Sequence, residues 1–276
     1  MSSKNTKSKT GTYNRPKKNF DKSVREIVQK ELADEIEQKH AITEYFSTNI
    51  KKNIPSGVVL NGQGNFFKIL PEIEQSSTGE AGRAYNTRIG NEISLKSIDL
   101  TGAINYAASN ASQTNYEDAK IAVRVMILRA KEVSDVELLF DNMPTDTLIT
   151  FGAQSATGAN GPTSFGGYEL DAFRQINRDT FSVRYDKVFY LDAPVLIPGT
   201  TAPDLAVIPS RSRLFKHTMT FGKNGLKLKY SAQTDLNANN FPYFMVVGYS
   251  SMSSGTQPSD NLARMTLSCV GHYTDA

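Results

Sequence analysis

Eight cationic side chains crowd the first 25 residues: Lys4, Lys7, Lys9, Arg15, Lys17, Lys18, Lys22 and Arg25, against the single acid Asp21. Their common chemistry is charge neutralisation. Lysine and arginine on a flexible chain meet phosphates without reading a base sequence, and each contact releases counterions. Tyr13 and Phe20 stand among these cations, where their rings can stack on unpaired bases, worth on the order of 1–3 kcal/mol each. The run Arg15-Pro16-Lys17-Lys18 also has the composition of a nuclear-import signal, because import and packaging use the same residue types. The plainer alternative for the whole stretch is a solubilising tail.

Other chemistry has little to work with. His40, His217 and His272 are scattered, with no partner at metal-ligand spacing. A single cysteine, Cys269, cannot form an intramolecular disulfide or build a structural zinc site, and it fits a reducing compartment. Gly62-Gln63-Gly64 lacks the strand–glycine–helix setting of a phosphate loop and reads as a turn. Gly158–Gly167 reads as a mobile surface loop. The acids Glu117-Asp118 and Asp135 with Glu137 read as solvated loop carboxylates, the alternative being a Ca²⁺ site between subunits. No nucleophile, base and orienting acid are legible together. The sequence therefore predicts no enzymatic activity, no cofactor and no resident metal.

The charge is segregated along the chain. Residues 1–25 carry a net +7 and residues 26–52 a net −2, so a whole-chain charge of +3 leaves −2 on residues 53–276. A near-neutral body with a basic arm is a build suited to holding a polyanion. The basic N-terminal stretch is not followed by an apolar segment, so no signal peptide is expected. No run of 18 apolar residues occurs, so no membrane insertion is expected either.

The elements that would position these groups follow from periodicity. Residues 1–22, almost without aliphatic side chains, predict a disordered basic arm. Ser23-Val24-Arg25-Glu26 matches a capping box, and Val24, Ile27, Val28, Leu32 and Ile36 recur at helical spacing, predicting an amphipathic helix over 23–40. Glu26–Lys30 and Glu35–Lys39 would add i,i+4 pairs of about 0.3 kcal/mol each. Residues 23–46 are thus read as helix and linker, and 53–276 as one β domain. That helix would pack on the body or contact another subunit or nucleic acid.

Strands are predicted at 92–100, 121–128, 181–191, 214–221, 226–230, 243–249 and 263–270, with a weaker one near 147–151. The 121–128 run is nearly continuous, as in a strand covered on both faces. Gly222-Lys223-Asn224-Gly225 between two alternating runs predicts a tight hairpin. Eight strands with long connections at 152–180 and 192–212 favour an all-β fold, an eight-stranded antiparallel jelly roll in two sheets. The same long connections are the natural outward-facing loops.

A basic arm ahead of such a body, with no active site, resembles a single jelly-roll viral capsid protein. The closer likeness is to capsid proteins of small circular single-stranded DNA viruses that encode a rolling-circle replication initiator, the circovirus-like group. It is carried by Thr87-Arg88-Ile89-Gly90-Asn91-Glu92-Ile93-Ser94-Leu95-Lys96-Ser97-Ile98, by Leu100-Thr101-Gly102 and by Ala122-Val123-Arg124-Val125-Met126-Ile127-Leu128, and spans about residues 85–273. The arm departs from that group in being short, lysine-rich and followed by a mixed-charge helix. The resemblance implies a homo-oligomeric icosahedral shell that packages single-stranded nucleic acid, circular DNA by the closer likeness. It also implies a virion location with passage through the host nucleus during assembly, and a host receptor that the sequence does not specify. Satellite-type RNA virus coat proteins share this plan. A cellular single-strand nucleic-acid-binding β protein remains the alternative of a different class, and a secreted lectin-like jelly roll is disfavoured by the basic arm.

Overall fold

A computed structural model describes residues 22–28, 38–54, 65–75, 86–107, 118–132, 147–151, 161–193 and 211–275. The chain divides into two units, Met1–Glu37 and Gln38–Ala276. In the first unit, residues 22–28 are helical, with Val24, Ile27 and Val28 exposed.

The second unit is all β. Its strands are β1 (Gln38–Ile50), β2 (Phe66–Phe67), β3 (Glu74–Gln75), β4 (Thr87–Arg88), β5 (Glu92–Tyr106), β6 (Lys120–Ala130), β7 (Ile149–Phe151), β8 (Gly161–Thr163), β9 (Gln175–Ile176), β10 (Phe181–Asp192), β11 (Ser212–Thr220), β12 (Leu226–Lys229), β13 (Tyr243–Ser251) and β14 (Ala263–Asp275). One sheet has the order β1-β14-β5-β11, with β12 also on β5; the other has the order β10-β6-β13-β2. Every pairing within these two sheets is antiparallel. Two small sheets, β3-β4 and β8-β7-β9, lie outside them.

Side-chain period decides which faces are buried. In β5, Ile93, Leu95, Ile98, Leu100 and Ile104 turn inward with no exposed surface, while polar residues alternate outward. In β6 nearly every residue is buried, as its continuous apolar run predicts, because it is central in its sheet and residues 171–174 cross its outer side. One core spans both sheets; across it the ring of Phe215 in β11 lies 6.4 Å from Phe189 and 6.5 Å from Tyr185 in β10. Each fully buried aliphatic side chain contributes about 1.5–3 kcal/mol. Gly102 is needed at its place in β5: a Cβ there would stand 2.5 Å from the Phe215 ring and 2.7 Å from the Thr266 carbonyl oxygen.

Four sequence expectations are corrected. The predicted helix does not reach residue 40, because β1 begins at Gln38; helix and linker over 23–46 therefore give way to strand from Gln38 onward. Lys39, expected to pair with Glu35 along a helix, instead reaches Asp275 at 2.6 Å, the ends of β1 and β14 being in register. The pattern in β1 was obscured because Lys39 is buried while Ile42 and Phe46 are exposed, the reverse of an amphipathic strand.

The hairpin at 222–225 does not form. Both β11 and β12 pair antiparallel with β5, Thr220 opposite Ser97 and Leu226 opposite Leu95, so they run in the same direction. Gly222 and Gly225 have φ of +78° and +75°, and Gly225 N–H donates to the Gly222 carbonyl. That turn is a loop thrown out of one strand, after which the chain rejoins its original line.

The third correction concerns strand count. The 147–151 run is β7 of a small sheet, while the principal sheets take up β1 and the two-residue β2, which carry too little alternation to be read. Finally, within Gly158–Gly167 the described residues 161–167 are not simply a mobile surface loop: Phe165 is fully buried and its carbonyl accepts from Ile54 N–H at 2.9 Å, while residues 158–160 lie outside the described residues.

Candidate nucleic-acid interface

Of the eight cations at the N-terminus, Lys22 and Arg25 fall within the described residues, both exposed on the helical turn 22–28. Lys22 stands 3.9 Å from Glu26, with both side chains largely in solvent, an ion pair too weakly held to withdraw the charge. Lys4, Lys7, Lys9, Arg15, Lys17 and Lys18, the stacking candidates Tyr13 and Phe20, and the import-like run with Pro16 lie outside the described residues.

In the body the cations sort by burial. Arg88 is fully buried, its guanidinium 4.0 Å from the centre of the Tyr230 ring. It donates to the Gly90 carbonyl at 2.5 Å, to Asn91 Oδ1 at 3.2 Å and to Gln75 Oε1 at 3.1 Å. Its other nitrogen donates to the carbonyls of Ala232, Gln233 and Asp235. The Arg-x-Gly step singled out in the sequence is thus a fastener joining the entry to β5 with the segment after β12. Arg124 of β6 is nearly as buried and grips Asp186 of β10 with two bonds of 2.8 and 2.7 Å. It also donates to the carbonyls of Asp171 and Arg174, clamping the 169–174 segment over the sheet. The buried Asp171 accepts from Gly166 N–H, Tyr168 N–H and Arg174. These charges are structural, since a polyanion cannot reach them.

The exposed cations are grouped too, and sequence reasoning missed the group. Residues 211–229 contain Arg211, Arg213, Lys216, Lys223, Lys227 and Lys229 and no acid. The body's net −2 hides this because its acids lie elsewhere. The signal was legible as six bases in nineteen residues. The fold turns it into a line, since β11 and β12 lie end to end along one edge of their sheet. Lys227 and Lys229 share Glu92, whose carboxyl is held below its usual range by the Lys227 hydrogen bond. Among the described residues no carboxylate lies at ion-pair distance from Arg213, Lys216 or Lys223.

The facing edge strand is β10, the end of the other sheet. Arg213 Nε donates to the Tyr190 carbonyl at 3.3 Å, and the rings of Tyr185 and His217 lie 4.6 Å apart. Burial lowers the His217 pKa, so the ring is neutral at pH 7, and raises that of Tyr185. Arg184 and Lys187 are exposed along β10. The β11–β12 edge is therefore basic, and the Tyr185 and His217 rings close the seam beside it.

The remaining candidates serve other ends. Cys269 is fully buried and burial pushes its thiol up to about 12, so it stays protonated and is a poor nucleophile. Asp118, expected to be solvated, is buried and accepts from Ser259 N–H at 2.7 Å; Glu117, Asp135 and Glu137 lie outside the described residues. His272 Nε2 meets Asp99 Oδ2 at 3.1 Å. Among the described residues no group of three or more His, Cys, Asp or Glu could hold a metal ion. No helix among them is long and apolar enough to cross a membrane.

These features define an all-β protein of two antiparallel sheets around one core, with an acid-free run of exposed cations along the β11–β12 edge. No family model and no curated protein sequence matches the chain.

Proposed function

We propose that this chain is a jelly-roll coat protein whose copies assemble into a closed shell around single-stranded nucleic acid. The observation that carries the reading is the nesting of the strand pairs. Counting the strands of the two principal sheets in chain order, with β11 and β12 as one, there are eight: β1, β2, β5, β6, β10, β11/β12, β13 and β14. The first pairs with the last, β1 with β14. The second pairs with the seventh, β2 with β13. The third pairs with the sixth, β5 with β11 and β12, and the fourth with the fifth, β6 with β10. Nested pairing of this kind results when one long antiparallel ribbon is rolled on itself, which supports the jelly-roll form of sandwich found in viral capsid and lectin domains.

The basic arm supports the coat function over a lectin-like one. Eight cations in 25 residues on each copy give many weak, salt-sensitive contacts that add through multivalency. No residues of the fold are assigned a catalytic role.

Negative-stain electron microscopy of the full-length protein near physiological salt is the direct test. Uniform closed particles, with protected nucleic acid recovered from them, are expected; DNA and RNA are then told apart by nuclease. Monomers or small oligomers, even after single strands are added, would overturn the coat reading in favour of a single-strand-binding protein.

A further inference from the structure

We infer that the seam formed by the edge strands β10, β11 and β12 is a second binding surface for single-stranded nucleic acid, separate from the N-terminal arm and built into the folded body. Three observations converge on it. The first is sign. All six charged side chains in 211–229 are cationic, and on the facing strand Arg184 and Lys187 are exposed while Asp186 is taken up by Arg124. Lysines on an edge strand also deter pairing with another chain, but charges of either sign do that. A run of six cations without one acid goes beyond what deterrence requires.

The second is shape. β11 and β12 together oppose β5 from Asn105 to Glu92, a line of roughly 40 Å at about 3.3 Å per residue. The looped-out turn sets Lys223 at the middle of that line, where it is exposed. Lys216, Lys227 and Lys229 stand on the solvent face of that edge, opposite Thr101, Ser94 and Glu92, and cations along one face suit an extended strand with regularly spaced phosphates better than a compact anion.

The third is the rings. Tyr185 of β10 and His217 of β11 meet across the seam, both half-buried, with their rings 4.6 Å apart. A half-exposed ring beside cations is the pairing that holds unpaired bases, whose faces stack whatever the sequence. Sulfated glycans offer charge but no aromatic faces, so the rings favour nucleic acid.

The inference rests on the coat reading only for the kind of polyanion. It is tested in the full-length chain by fluorescence anisotropy with an end-labelled oligo-dT of about 20 nucleotides, a length comparable to single-strand sites, over a salt series. The variant R213Q/K216Q/K223Q is expected to flatten the log–log salt slope by up to about 2, at about 0.7 per phosphate contact. The charge-matched control K51Q/K52Q/K68Q, beside the opposite edge strands β1 and β2, is expected to leave the slope unchanged. Tyr185→Ala, with every cation kept, is expected to weaken binding about tenfold or more. Equal slopes for the seam variant and the parent overturn the inference, as does loss of heparin retention with oligo-dT binding intact. Shells that form from the seam variant with an unchanged slope would remove the seam and leave the coat function standing. Absent shells with a flattened slope would do the reverse.

Discussion

A buried arginine can either bind a ligand or act as a clasp, and Arg88 shows how to tell them apart. Its two terminal nitrogens have all their bonds within the protein, on three backbone carbonyls after β12 and on Gly90, Asn91 and Gln75. Removing the guanidinium leaves those carbonyls desolvated without donors. Arg88→Ala is therefore expected to destabilise by about 3 kcal/mol, lowering the melting temperature by about 6–12 °C for a domain of this size. Arg88→Lys is expected to recover less than half, because an ammonium can neither fork between the two segments nor stack flat on Tyr230. A thermal melt of each variant checks this, and salt-dependent nucleic-acid binding should stay at the parental level in both.

At the scale of elements, the rows that cross strands matter more than any strand alone. Asp99 of β5 accepts from Thr218 of β11 at 2.6 Å and meets His272 of β14 at 3.1 Å, so one carboxylate ties three strands on the solvent face. The Thr218 hydroxyl, then the His272 ring, hold its pKa below the usual carboxylate range. A depressed pKa means the unfolded chain binds the proton more readily, so the stabilisation is present above the ordinary carboxylate pKa and fades as pH falls through the folded value. His217 acts in the same direction, since burial lowers its pKa and the unfolded chain takes up the proton first as pH drops below about 6.5. Asp99→Asn is expected to be less stable than the parent at neutral pH by a modest amount, the site being partly exposed. That deficit should shrink as pH falls through about 4 and below. Urea midpoints across pH measure it, and a deficit independent of pH would contradict the linkage.

For the whole molecule, the arrangement is one of division of labour. The unit Gln38–Ala276 holds the common core by itself, whereas residues 1–22 hold seven cations and one acid. A chain lacking residues 1–22 is therefore expected to melt at the parental temperature. Its salt slope on single strands should fall by up to about 5, at about 0.7 for each of the seven cations. The slope that remains belongs to the body. Full retention of the parental slope would deny the arm its role, and circular-dichroism melts with anisotropy titrations provide both readouts.

The sequence by itself determined the strands whose side chains alternate or run continuously apolar, β5, β6, β10, β13 and β14, because burial of one face or two is written in the local period. It also determined the basic arm, since charge is a property of composition. Only the tertiary structure decided the rest. The strand β1 has no legible period because a buried Lys39 is satisfied by Asp275, 236 residues away. The Gly222–Gly225 turn has the chemistry of a hairpin, yet long-range pairing with β5 on both sides keeps the chain on course. The seam cations were visible as residues but not as a surface. Which side chains a fold places in line depends on pairings between segments far apart in the chain, and local sequence does not carry that information.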